Sequence, residues 1–178
     1  MSALGTTAPE TGSDAPTTTS PPTTADGVAL WEIAAASRVL DVNSRYAYVL
    51  WCRDFAATSI VARIGERVVG FVTGYVRPER PDTLFVWQVA VHEVARGRRV
   101  AATMLDDLVA RVGTPFLETT VTDDNAASLA MFAGLAERTG ADMERTELFG
   151  PAELGAEHDP EFLYRIGPMQ LTPTPTRG

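Results

Sequence analysis

The sequence predicts an α/β (α+β) fold, a mixed central sheet with helices on both faces, and three observations carry that prediction. Two β-branched runs in TSIVARIGERVVGFVTGYV are separated only by Gly65, Glu66 and Arg67, the pattern of an antiparallel hairpin. A strand over residues 83–91 is followed by a helical segment and by a second strand over residues 116–122, and a helical crossover favours parallel outer strands. Apolar residues at helical spacing recur on either side of these strands, which supplies helices for both faces.

The 178 residues suit one domain. Residues 1–27 are almost wholly Thr, Ser, Pro, Ala and Gly and carry Glu10, Asp14 and Asp26 without a base, so a disordered tail is expected there. The folded unit is expected over residues 28–168, with a second flexible tail over 169–178 that includes LTPTPTRG. Within the unit, residues 44–56 (SRYAYVLWCRDFA) read as a helix that Asn43 or Ser44 can cap. The hairpin follows. The two prolines of RPERPD break the pattern, TLFVWQVAV resumes as a long strand, and residues 96–112 read as a helix. Residues 116–122 form a strand, 126–138 a helix, and EFLYRI a last strand.

Composition removes several classes of function. No apolar run reaches the roughly 18 residues of a membrane span, and no cationic start precedes an apolar block, so a cytoplasmic protein is expected. A single cysteine, Cys52, with two histidines makes a Cys/His metal site improbable, and no metal is expected. A net charge of −8 and a pI near 4.7 disfavour a nucleic-acid surface and suit a small cationic partner. All 15 basic residues are arginine, and three of them, Arg96, Arg98 and Arg99, crowd into VARGRRVAATML where a strand gives way to a helix. The start of a helix presents unpaired amides and the positive end of its dipole, so a phosphate is the ligand this stretch favours. Gly97 permits close backbone approach. Neither GK[ST] nor GxGxxG is present, which disfavours the two common nucleotide folds.

RGRRVA resembles the pyrophosphate-binding signature of the GNAT acyltransferases, Arg or Gln, x, x, Gly, x, Gly or Ala. Arg96 and Ala101 match its ends and Arg99 stands at its central glycine. A helical conformation is expected at Arg99, where an arginine is tolerated and adds a phosphate contact. Across residues 40–168 the segments LDVNSRYAYVLWC, VVGFVTGY, RPERPDTLFVWQVAVH, LETTVT and FLYRIGP are similar to the diaminobutyrate acetyltransferases of ectoine biosynthesis. The resemblance implies a sheet of about six to seven strands, acetyl-CoA as co-substrate, L-2,4-diaminobutyrate as acceptor and a homodimer.

The chemistry so implied needs an uncharged amine. Deprotonating an alkyl ammonium at neutral pH costs roughly 4 to 5 kcal/mol, so the site needs a proton acceptor. Glu118 lies mid-strand in FLETTVT, where a carboxylate is depleted, and is expected to face a polar cavity as general base; Glu161 and His158 are the alternatives. The resemblance assigns Asp41, Tyr46, Trp87 and Glu161 to the amino-acid pocket, while Asp159 reads as a turn residue and His92 as structural. It also implies that the amides of Val89 and Val91 pair with pantetheine, and that Gly97, Arg98, Arg99, Val100 and Ala101 hold pyrophosphate. Asn125 reaches the cofactor arm or, like Asp124, caps the next helix. Many family members carry a tyrosine on that helix to protonate the leaving thiolate; Phe132 occupies the region here. An acetyltransferase for another small cationic amine, or a degenerate acyl-CoA-binding module, is the competing reading.

Overall fold

A computed structural model describes residues 15–37, 40–155 and 160–171. Among them seven strands form one mixed sheet in the order β1-β2-β3-β4-β5-β7-β6. The strands are β1 (Thr17–Ser20), β2 (Ile60–Ile64), β3 (Arg67–Arg77), β4 (Arg80–Val91), β5 (Phe116–Val121), β6 (Asp142–Phe149) and β7 (Glu161–Gly167). The helices are α1 (Gly27–Ser37), α2 (Arg45–Asp54), α3 (Val100–Val112), α4 (Ala126–Thr139) and the single turn α5 (Pro151–Leu154). The expected pairings hold: β2 and β3 form the antiparallel hairpin, and β4 and β5 run parallel around α3.

The period-two alternation of strands divides the apolar side chains between two cores. Ile60, Val72, Leu84, Val86, Leu117, Val121, Tyr164 and Ile166 pack with Val100, Met104, Leu105, Leu108, Phe132 and Leu135 of α3 and α4. Val61, Phe71 and Ala90 face the other way and pack with Leu30, Ile33 and Ala34 of α1 and Tyr48 and Cys52 of α2. Gly27 makes the α1–α2 approach possible, because a Cβ there would lie 2.6 Å from Val49 Cγ2. Ser44 caps α2 by accepting from the Ala47 amide at 3.2 Å.

Several expectations need correction. The expectation of a disordered tail over residues 1–27 fails from residue 15 onward, where the described residues begin and are folded. Thr17–Ser20 pairs antiparallel with β2, Thr19 Oγ1 donates to Asp107 Oδ2 at 2.6 Å, and Arg98 Nη2 donates to the Ala15 carbonyl at 3.0 Å. Backbone pairing at an edge needs no apolar side chains, so a threonine-rich strand is compatible with the composition. Asp26 is buried, accepting from the Thr23 amide and from Arg63 Nη2, each at 2.8 Å. Burial pulls its carboxyl upward, but the Thr23 and Arg63 donors win and hold it below its ordinary value.

The flexible tail expected from residue 169 fails at its first residues, since the Met169 amide donates to the Pro115 carbonyl at 2.8 Å and the Gln170 amide to the Thr139 carbonyl at 2.9 Å. RPERPD is a tight hairpin connection rather than a break, with Pro81 inside β4 at an irregularity where the residues between Arg80 and Leu84 have no β3 partner. Helix α3 starts at Val100, four residues after the expected Arg96, because Glu93–Ala95 forms a 3₁₀ turn and Gly97 and Arg99 have positive φ.

Candidate active site

The sheet opens between β4 and β5. These strands pair only from Thr83 to Val86 and from Phe116 to Thr119. Against β3, Thr73 faces Gln88 and Gly74 faces Val86, so Trp87 is an extra residue, a β-bulge. The bulge resets the alternation: Leu84 and Val86 face α3 and α4 before it, and Val89 and Val91 do so after it. Among the described residues, β4 has no partner on its β5 side beyond the bulge. The His92 amide donates to Val69 of β3 at 2.8 Å, so the alternating amides of Val91 and Val89 point to the unpartnered edge. Two donors thus line the gap, where an extended ligand can pair as a strand would.

A cleft of about 880 Å³ continues from this gap, lined by Val89, Val91, Arg96, Gly97, Arg99, Val100, Ala101 and Asn125. All of these are sequence-predicted residues. Missed by the sequence reading were Leu40, Ala102, Ser128 and Met131, which also line it and whose apolar or small side chains carried no chemical signal. The first α3 helical bond to the loop is Thr103 N–H to the Arg99 carbonyl, and no side chain caps that end. The amides of Val100, Ala101 and Ala102 therefore lack intrahelical partners at the cleft, an anion site of backbone donors. At α4 the contrast is plain: Asn125 Oδ1 accepts from the Ser128 amide at 3.1 Å, so Asn125 both caps the helix and lines the cleft.

The expected helical conformation at Arg99 is wrong. Arg99 has φ 59° and ψ 17°, the left-handed region, and so adopts the backbone that the glycine of the signature supplies without strain. Tight entry to α3 requires the shape, and the arginine bears its cost. Arg98 is also turned aside, since its guanidinium binds the Ala15 carbonyl rather than lining the cleft.

On the other face, Tyr48 Oη donates to Gln88 Oε1 at 3.0 Å and Gln88 Nε2 donates to the Asp41 carbonyl at 2.9 Å. A buried glutamine beside the bulge thereby holds the Asp41 loop next to Trp87. Gln88 was not singled out from the sequence, although an amide within FVWQVAV is a polar anomaly that marks it. Burial pushes the Tyr48 hydroxyl above its ordinary value. Trp87 stacks on Trp51 at 4.6 Å, and Trp51 on Phe55 at 4.6 Å. Tyr46 is 73% exposed in the first turn of α2, away from these contacts. Glu161 opens β7, half-buried, next to Phe162, which pairs with Val121 at the end of β5. His92 accepts from the Val94 amide at 3.3 Å and meets Arg67, in keeping with a structural role. His158 and Asp159 lie outside the described residues.

Glu118 does not face an open cavity. It is 1% exposed, with Oε2 accepting from Arg77 Nη1 at 2.6 Å and Oε1 from Arg165 Nη1 at 2.5 Å, and Arg80 lies 3.6 Å away. Each oxygen of this buried carboxylate accepts from a guanidinium, so Glu118 serves to hold arginines and does not face a reacting amine. Phe132 is buried in the α3–α4 core and supplies no acid. Among the described residues no group of three or more His, Cys, Asp or Glu is placed to hold a metal ion, and no helix is long and apolar enough to cross a membrane.

A strand gap with inward amides, continuous with an uncapped helix start, is the arrangement for a pantetheine arm ending in pyrophosphate. The model of the Acetyltransferase (GNAT) family matches residues 28–135. The chain belongs to the GNAT family. Among the curated relatives of this GNAT chain is an L-2,4-diaminobutyric acid acetyltransferase of Streptomyces coelicolor, 58% identical over 83% of this chain and 91% of the relative. A protein of the same name from Halomonas elongata is 44% identical over 84% of this chain and 80% of its own length. Among solved structures, the diaminobutyrate acetyltransferase EctA from Paenibacillus lautus, in complex with its substrate L-2,4-diaminobutyric acid and coenzyme A, superposes with a TM-score of 0.81. It is 34% identical, covering 86% of this chain and 96% of that one. Ard1 from Thermoplasma volcanium, 15% identical with a TM-score of 0.65 over 85% of this chain and 97% of its own, shares the GNAT fold.

Proposed function

We propose that this GNAT enzyme transfers the acetyl group of acetyl-CoA to the 4-amino group of L-2,4-diaminobutyrate, giving N4-acetyl-L-2,4-diaminobutyrate for the compatible solute ectoine. The observation that carries the substrate is the 58% identity to a diaminobutyrate acetyltransferase across most of both chains. The geometry supports acetyl transfer independently. The amides of Val100, Ala101 and Ala102, with Arg96 and Arg99, hold pyrophosphate, while Asn125 and Val89–Val91 guide the arm. The Val89 amide donates to the thioester carbonyl and stabilises the oxyanion that forms when the amine attacks. A carbon–nitrogen bond forms, the carbon–sulfur bond breaks, and the proton lost by the amine balances the thiolate as CoA-SH.

The acceptor carries two ammonium groups and one carboxylate, a net charge of about +1 at neutral pH. Asp41, held beside the bulge, and Glu161, at the start of β7, supply negative charge for its ammonium groups, and Trp87 forms an aromatic wall. With Glu118 engaged by arginines, the proton acceptor falls to Glu161, with His158 the other candidate. Regiochemistry is then a matter of which amine reaches the gap. We place the protein in the cytoplasm, where acetyl-CoA is made, as a homodimer; the exposed aromatic Tyr46 of α2 supports an interface.

The test is direct. Purified protein with acetyl-CoA and L-2,4-diaminobutyrate should release free thiol, and proton NMR of the product should show the acetyl shift on the 4-nitrogen. CoA binding without turnover on any diamine would favour the acyl-CoA-binding module, and turnover restricted to another amine would replace the substrate.

A further inference from the structure

Glu118 is one carboxylate among three guanidiniums. Arg77 comes from β3, Arg80 from the start of β4 and Arg165 from β7, with side chains 33%, 53% and 24% exposed. Among the described residues no second carboxylate lies within ion-pair distance of them. Arg165 is further fixed by stacking on Phe116 at 4.0 Å and by a 3.4 Å contact from Nη1 to Thr83 Oγ1. Each guanidinium has five donors, and Glu118 occupies one on Arg77 and one on Arg165. The cluster keeps a surplus of two positive charges and several unused donors. Partly desolvated cations without a matching anion are costly, so a surplus of this kind points to an anionic ligand.

Its place in the sheet says which anion. Glu118 pairs with Phe85 on one side and Arg165 on the other. Phe85 stacks on Tyr75 at 5.3 Å, and Tyr75 meets Trp51, which stacks on Trp87. The arginines therefore share a sheet face with the aromatic wall of the acceptor pocket. β5 loses its β4 partner after Thr119, so the gap opens at Thr120, two residues or about 7 Å along β5 from Glu118. An extended 2,4-diaminobutyrate places its carboxyl carbon about 5 Å from its 4-nitrogen by ordinary bond lengths. The Val89 amide lies three register steps, about 10 Å, from Phe85 in the Glu118 row, so an acceptor nitrogen reacting there leaves about 5 Å between its carboxylate and that row, a distance that arginine side chains span.

We propose that Arg165 and Arg77, aimed by Glu118, bind the α-carboxylate of the acceptor and so select an amino acid over a simple diamine. The inference rests on the diaminobutyrate reading and adds to it a determinant for the carboxylate, which Asp41 and Glu161 repel. Charge-assisted hydrogen bonds to a carboxylate are specific because a bidentate guanidinium matches its geometry.

The experiment compares kcat/KM for L-2,4-diaminobutyrate with that for 1,3-diaminopropane, the same diamine without the carboxylate, in the native enzyme and in Arg165→Gln and Arg77→Gln. The native enzyme should prefer the amino acid, and each substitution should lower that preference by about tenfold or more through KM for diaminobutyrate. KM for diaminopropane should move by less than about threefold, which also reports that the variant is folded. Should Arg165→Gln fail to fold because Glu118 loses a partner, Arg77→Gln decides alone. Equal losses on both amines, or an unchanged preference, overturns the proposal while leaving the acetyltransferase reading intact. A native enzyme inactive on diaminobutyrate overturns both.

Discussion

Replacing Arg99 by glycine separates two roles that one residue combines. Its φ of 59° lies where a side chain costs about 1 to 2 kcal/mol relative to glycine. Glycine regains part of that as unfolded-state entropy, about 0.5 to 1 kcal/mol, so Arg99→Gly should stabilise the fold by about 0.5 to 1 kcal/mol. For a chain of this size about 1 kcal/mol moves Tm by about 2 to 4 °C, and a rise of about 1 to 4 °C is expected in thermal unfolding followed by circular dichroism. CoA affinity should fall in the same variant, by about tenfold in calorimetry, because the cleft loses a guanidinium beside the uncapped α3 amides. Arg99→Ala keeps the backbone strain and loses the charge, so it should bind CoA as weakly with no gain in Tm. A lowered Tm for Arg99→Gly, or an equal rise for Arg99→Ala, would refute the strain argument.

Asn125→Ala removes the acceptor for the Ser128 amide and should cost about 1 kcal/mol in urea unfolding, while raising KM for acetyl-CoA with kcat nearly unchanged; a stability loss with unaltered KM would leave Asn125 as a cap alone. The Cys52 thiol, pushed up to about 11 first by burial and then by the Asp26 charge, should react with a disulfide reagent at pH 8 only after unfolding. Because its folded value lies above the unfolded one near 9, its contribution to stability is full below pH 9 and declines toward pH 11, which urea midpoints at pH 8 and 10.5 would register.

Where side-chain pattern and fold coincide, the sequence was readable. The hairpin around Gly65, the β4–α3–β5 unit and the cleft residues Arg96, Gly97, Arg99, Val100 and Ala101 were all marked by periodicity or by the arginine run. α1 was missed because GVALWEIAAAS is apolar or alanine on nearly every side, so the spacing of Leu30, Ile33 and Ala34 did not stand out. β6, DMERTELF, lies at the edge with most side chains exposed and has no apolar alternation to detect. β1 is held by backbone bonds and by Thr19, which composition alone cannot register. The start of α3 and the conformation of Arg99 depend on loop geometry rather than residue type, and periodicity reports the interior of a helix better than its ends. Glu118 was rightly marked as anomalous in its strand; its partners Arg77 and Arg165 come from 41 and 47 residues away, beyond any local pattern.

The bulge at Trp87 gives β4 a parity. Because Trp87 alone of this stretch has no partner on β3, deleting it would bring Gln88 directly after Val86 with every other pairing kept, so Val89 and Val91 would stay toward α3 and Gln88 beside Tyr48 and the Asp41 carbonyl. A residue inserted elsewhere between Val86 and Val91 would instead exchange the faces of all that follow it, so the bulge is the one point of this stretch where a single residue can be lost with the ladder intact, at the cost of the aromatic wall.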